Sequence, residues 1–139
     1  MIDPVFLSTE DVLSLHADQL ERYGGLPGVR DAGALEAAVE MARATYGGEY
    51  LHGDLFSMAA AYAFHIAESQ AFVDGNKRAG LNAALVFLLM NGWHVSDPDG
   101  RLYDAMIAIA VRSLDKAGLG ELLQALARPD EEEEEPEAF

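Results

Sequence analysis

Apolar positions recur every three or four residues along most of this chain, and glycine-rich breaks separate the periodic stretches. That pattern predicts helices nearly throughout. Ser8 or Thr9 with Asp11 opens a first helix whose apolar face takes in Val12, Leu13, Leu15, Leu20 and Tyr23, and Gly24-Gly25 stops it. Asp31 caps a second, carrying Leu35, Ala38, Val39 and Ala42 and ending by Gly47-Gly48. Asp54 caps a third, with Leu55, Met58, Ala59, Tyr62, Ala63 and Ile66 at helical spacing until about Ser69. The run from Leu81 to Met90 is apolar almost all round, which reads as a buried central helix beginning near Asn76 and closing on Gly92. Two more helices are expected near Leu102 to Leu114 and Leu119 to Ala127, parted by Gly118. Few segments alternate with period two, so the expected fold is all-α. No internal repeat or linker divides the chain, giving one domain over 1–128 and a tail over 129–139.

Composition narrows the setting. A chain of 139 residues that is 50% hydrophobic can close one core. It has no run of about 18 apolar residues and no basic leader, so neither a membrane span nor a signal peptide is indicated, and a cytoplasmic location is the expectation. With no cysteine, disulfides, thiolate metal sites and cysteine nucleophiles are excluded. The net charge of −15 is lopsided, because Asp130, Glu131 to Glu135 and Glu137 put seven acids in the last ten residues. Without them 17 acids face 9 bases. So acidic a body repels nucleic-acid backbones, and no direct nucleic-acid partner is expected. The tail lacks apolar periodicity and reads as a solvated, disordered end; binding a basic partner is the sharper alternative.

The candidate chemistry is concentrated in Gln70-Ala71-Phe72-Val73-Asp74-Gly75-Asn76-Lys77-Arg78, just before the central helix. The free N–H groups of a helix's first turn can hold phosphate oxygens. Gly75 lets the backbone approach a ligand, and Asn76 can cap the helix or donate to a phosphate. Arg78 can grip phosphate bidentately, Lys77 adds a point charge, and Asp74 can hold a magnesium ion against phosphates. A plain capping turn with both cations in solvent is the blander reading of the loop taken alone. Phe72 serves as a core anchor under either.

The stretch resembles the signature of the Fic/Doc family, His-x-Phe-x-Asp/Glu-Gly-Asn-Gly/Lys-Arg, at Phe72, Asp74, Gly75, Asn76, Lys77 and Arg78. Lys77 matches the Doc, or death-on-curing, branch and not the AMP-transferring branch, which has glycine there. Glu21-Arg22-Tyr23-Gly24-Gly25-Leu26-Pro27-Gly28 with Asp31, Gly33 and Glu36, and Asn82 to Leu88 with Asn91-Gly92, are similar to Doc proteins as well. These matches make a chance capping turn a poor account. The resemblance implies a six-helix Fic core.

Gln70 departs from the family, whose histidine at this position acts as general base. An amide has no group that titrates near neutral pH, although it can still hold a hydroxyl in place. Loss of a general base costs about 10²–10⁴-fold in rate, so a reaction resting on positioning and metal electrostatics can survive in part. A natural branch and an inactivated toxin are equally open. His65 lies five residues before Gln70, roughly 140° round the helix, and reads as a packing residue. His16, His52 and His94 lack a telling carboxylate partner, and no zinc-ligand spacing occurs.

The resemblance implies a toxin of a toxin–antitoxin pair, a kinase that moves the terminal phosphate of ATP to a threonine of the translation factor EF-Tu and so blocks translation. Asn76 and Arg78 would hold phosphates, Lys77 would impose a reversed nucleotide orientation, and Asp74 would coordinate magnesium. A target would dock by a flap, at Leu26 to Asp31 or Gly47 to Asp54. Control would come from a cognate antitoxin whose carboxy-terminal helix lies in a groove by the site. Thr45 to Glu49 only begins the spacing of an inhibitory Ser/Thr-x-x-x-Glu-Gly/Asn helix, so inhibition in trans is expected. The alternatives are a non-catalytic Fic-fold protein that binds nucleotide or antitoxin, and an AMP-transferase.

Overall fold

The computed structural model describes residues 3–130. Six α-helices make up most of it: α1 (Thr9–Tyr23), α2 (Ala32–Glu40), α3 (Leu55–Ser69), α4 (Asn76–Met90), α5 (Arg101–Ala110) and α6 (Lys116–Leu126). The all-α expectation holds, with two short additions. Strands β1 (Thr45–Tyr46) and β2 (Glu49–Tyr50) form a hairpin turning through Gly47-Gly48, and β3 (Trp93–Val95) pairs antiparallel with β4 (Ala127–Pro129). None of the helices is long and apolar enough to cross a membrane.

Helix starts follow the capping chemistry. Ser8 and Asp11 form a reciprocal capping box, while Asp31 and Asp54 accept from the N–H groups of Ala34 and Ser57. Other boundaries differ from expectation. The second helix ends at Glu40 and tightens into a 3₁₀ turn over Met41–Arg43, leaving the following residues for the hairpin. The fifth ends at Ala110, short of Leu114. The sixth starts at Lys116 and not after Gly118, because Asp115 accepts from the Gly118 N–H at 2.8 Å and draws the glycine into the first turn.

The core lies between α3 and its neighbours. Burial expected chiefly of α4 is shared with α3, which buries Phe56, Met58, Tyr62, Ile66 and five alanines. α3 and α4 touch closely because small residues face each other. A Cβ on Gly80 would stand 2.5 Å from the Ala63 carbonyl oxygen, so only glycine allows this approach. Tyr62 Oη, fully buried, accepts from the Leu7 N–H at 2.8 Å and ties the amino-terminal segment to the core. Burial pushes its phenol up to about 12. At the far edge, Asp130 N–H donates to Gly92 O at 2.8 Å, so the expected tail is joined to the fold through its first residues. The acidic run from residue 131 lies outside the described residues.

Candidate functional site

The signature loop closes the short gap between α3 and α4, and its geometry begins with backbone constraints. Gln70 ends α3 in the left-handed region at φ 51°, and Gly75 precedes α4 at φ 78°. Between them Phe72 is buried, and Asn76 folds its amide back on it. Asn76 Oδ1 accepts from the Phe72 N–H at 2.9 Å, and Asn76 Nδ2 donates to the Phe72 carbonyl at 3.0 Å. The Asn76 side chain is therefore occupied in shaping the loop. What it can offer a phosphate is its backbone N–H.

α1 grips the loop from behind. His16 donates from Nε2 to the Asp74 carbonyl at 2.8 Å, and its ring stacks on Phe72 with centroids 3.7 Å apart. Gln19 donates to the Gly75 carbonyl at 3.1 Å and accepts from Asn82 at 3.3 Å. In a trans peptide the N–H points opposite to the carbonyl, so holding these two oxygens toward α1 turns the following N–H groups the other way. The Gly75 N–H is taken by Asp74 Oδ1 at 2.9 Å. The first backbone bond of α4 is Ala79 to Gly75 at 2.9 Å, which leaves the N–H groups of Asn76, Lys77 and Arg78 without intrahelical acceptors.

Those amides open on a cavity of about 290 Å³ whose walls include Gln19, Leu20, Gly24 and Tyr103 as well as the loop from Asp74 to Arg78. Among the described residues no ion pair uses Lys77 or Arg78, so both cations remain for an anion. The Arg78 guanidinium lies 4.5 Å over the ring of Tyr23, which orients it without neutralising it. The arrangement can bind a phosphate by helix amides and two cations together.

Of the expected site residues, Asp74, Gly75, Asn76, Lys77 and Arg78 line this one cavity and Gln70 does not. Gln70 Nε2 turns back to donate to the Ala67 carbonyl at 3.0 Å, and the Gln70 backbone carbonyl accepts from Arg30 at 2.6 Å. Asp74 faces the cavity with Oδ2 accepting from the Leu26 N–H at 3.0 Å. Each of its oxygens keeps a lone pair. Among the described residues no three metal-ligating side chains gather, so a cation here would rest on Asp74 and on the ligand's own oxygens, as magnesium commonly does.

The two segments expected to act as a flap part company. Leu26 to Asp31 lies along the loop, with Val29 bridging Phe72, Val73 N–H donating to Gly28 O at 3.0 Å, and Arg30 and Asp31 both donating to Ala71 O. The hairpin near Gly47 packs through Tyr50 on Phe6, which stacks on Phe87. Phe87 stands eleven residues along α4 from Asn76, roughly 16 Å by helical rise.

Sequence reasoning missed the inner face of α1. The expected face ran through Leu13, Leu15, Leu20 and Tyr23 beside Val12, whereas the buried residues are Val12, His16 and Gln19. Leu13 and Tyr23 are exposed. The spacing of four and then three from Val12 was the available signal, hidden because two of the three residues are polar.

Comparison with known proteins points to one family. The model of the Fic/DOC family matches residues 6–88. The chain is 36% identical over 120 residues to the protein kinase doc of Escherichia phage P1, covering 86% of this chain and 94% of that one. It is 39% identical over 113 residues to the toxin Doc of Mycolicibacterium smegmatis, covering 79% of this chain and 84% of that protein.

Proposed function

Since the chain belongs to the Fic/Doc family, we propose that it is a Doc-like toxin built to transfer the terminal phosphate of ATP to a hydroxyl on a translation target of the EF-Tu kind, with a cognate antitoxin as its partner. The observation that carries this reading is the cavity at the start of α4, where three free amides, Lys77 and Arg78 converge.

In the reaction the target's hydroxyl oxygen bonds to the terminal phosphorus, the bond to the bridging oxygen breaks, and ADP leaves. The backbone N–H groups of Asn76, Lys77 and Arg78 hold the phosphate oxygens, and Arg78 adds paired donors. Lys77 sets which end of the triphosphate lies innermost. Asp74 would hold magnesium, which would supply charge neutralisation for the phosphates. Leu26 to Asp31, already paired with the loop, is the edge on which the target segment docks. Gln70 gives no base to receive the hydroxyl proton, which passes to water, and the rate falls by about 10²–10⁴-fold. Expression of Gln70→His beside the parent tests the reading: growth arrest with the histidine alone supports it, and growth unaffected by either chain counts against it.

One observation favours a second reading. The Gln70 side-chain nitrogen donates to the Ala67 carbonyl within α3, and the Gln70 backbone carbonyl accepts from Arg30, so the position is fitted into the fold without a catalytic duty. A protein that binds nucleotide or antitoxin without catalysis would keep the phosphate cavity and need no more of Gln70 than this.

A further inference from the structure

Away from the signature loop, three basic side chains from three segments meet at one point. Lys116 Nζ, at the start of α6, lies 3.1 Å from His52 Nε2 in the turn before α3 and 3.0 Å from His65 Nε2 on α3. The ring of Phe64 lies 5.7 Å from the same nitrogen. Charged groups nearby are committed elsewhere. Asp54 bonds to Ser57, Asp115 to the Gly118 N–H, and Arg112 to Glu68. Among the described residues no carboxylate forms an ion pair with Lys116.

Three nitrogen bases this close, partly removed from water and without an acid, share few protons. Burial lowers the pKa of Lys116. It also drives His65 down to about 4, with the Lys116 charge and His52 adding to the effect. For His52, burial and the charge of Lys116 outweigh Asp54 and a backbone hydrogen bond with Met41. The amine is also reachable, because Lys116 lines a cavity of about 590 Å³ with Phe64, Arg112, Ser113, Leu114 and Asp115.

We propose that Lys116 is a nucleophilic amine, a modification site for small activated acyl donors such as acyl phosphates and active esters. The Nζ lone pair bonds to the acyl carbon, the bond from that carbon to the leaving oxygen breaks, and the phosphate or alkoxide departs. The surplus proton on nitrogen passes to His65 Nε2 and from there to water. The amide product cannot keep the contacts of an amine with both imidazoles, so modification loosens the start of α6 from α3. The site is independent of the anion cavity and of the reaction proposed there.

The chain has only two lysines, and Lys77 sits in an anion cavity that would itself attract charged donors. The probe is therefore the neutral N-hydroxysuccinimide ester of acetic acid, and the reference amine is Nα-acetyl-lysinamide in the same tube. Peptide mass spectrometry of the whole chain, labelled at pH 7, should show Lys116 acetylated several-fold faster than the reference, with the advantage gone in urea. In folded His65→Asn protein the advantage should shrink. Labelling of Lys116 no faster than the reference in the folded parent overturns the proposal, whatever the variant does. An equal advantage in urea overturns it too, because the fold would then contribute nothing.

Discussion

His16 holds Asp74 by its backbone and not by its carboxylate: the imidazole Nε2 lies 2.8 Å from the Asp74 carbonyl oxygen while the ring covers Phe72. The contact fixes the loop's path beside the cavity from a helix some sixty residues upstream. His16→Phe keeps the stacking surface and removes the donor, leaving a partly buried carbonyl unpaired. A loss of about 1–3 kcal/mol is expected in denaturant melts, with weaker ATP binding in calorimetry. His16→Gln, which can restore a donor, should recover part of the affinity. Unchanged nucleotide affinity in a folded His16→Phe protein would remove the loop-fixing role.

Arg78 rests on Tyr23 and has no acidic partner among the described residues. Arg78→Ala should weaken binding of ATP or inorganic phosphate roughly tenfold or more, the worth of a charge-assisted hydrogen bond. Stability should hardly change, because the side chain is exposed. Calorimetry on both proteins decides, and equal affinities would mean the anion sits elsewhere.

The close crossing of α3 and α4 gives a test of the scaffold. In Gly80→Ala the added methyl meets the Ala63 carbonyl oxygen at 2.5 Å and the Ala67 nitrogen at 3.2 Å, both backbone atoms that cannot swing aside. A loss of about 1–3 kcal/mol is expected. A melting temperature equal to the parent's would show that the helices part at little cost.

Acid should weaken the fold through His65. The folded chain keeps this imidazole neutral down to about pH 4, whereas unfolded it takes up a proton near 6.5. Its contribution is therefore complete above pH 6.5 and is lost as pH falls from there toward 4. Urea melts at pH 7 and pH 4.5 should show a larger drop for the parent than for His65→Gln. Equal drops would mean that His65 is as easily protonated in the fold as outside it.

Much of this was legible in the chain itself, for local reasons. Ser8 with Asp11, Asp31 and Asp54 announce three helix starts because a cap bonds within three residues of itself. The loop from Asp74 to Arg78 was legible because its donors are consecutive. What stayed hidden depends on distant partners. Strand β3 finds β4 more than thirty residues later. His16 and Gln19 are buried only because the loop's carbonyls meet them, and Lys116 meets His52 and His65 across the fold. The inward turn of the Gln70 amide could not be read from spacing, since the left-handed backbone at that residue decides it.

The proposed partner also has a thermal signature. An antitoxin tail that folds onto the toxin binds only the folded state, so at a hundredfold excess over its dissociation constant it should add about 2.7 kcal/mol of stability. Co-expression with the product of the adjacent reading frame, followed by melting of the purified material, checks this. No complex and no shift would leave the antitoxin without support.

On the reading proposed above, the loop from Asp74 to Arg78 is a phosphate-transfer site lacking only its base. Gln70→His protein, incubated with magnesium, ATP and EF-Tu and read by intact-protein mass spectrometry, tests it most directly. A single added phosphate on the target, much slower to appear with the parent, is the expected result. An AMP adduct formed with Lys77 intact would contradict the kinase assignment, and the absence of any adduct would leave the loop as a binding site alone.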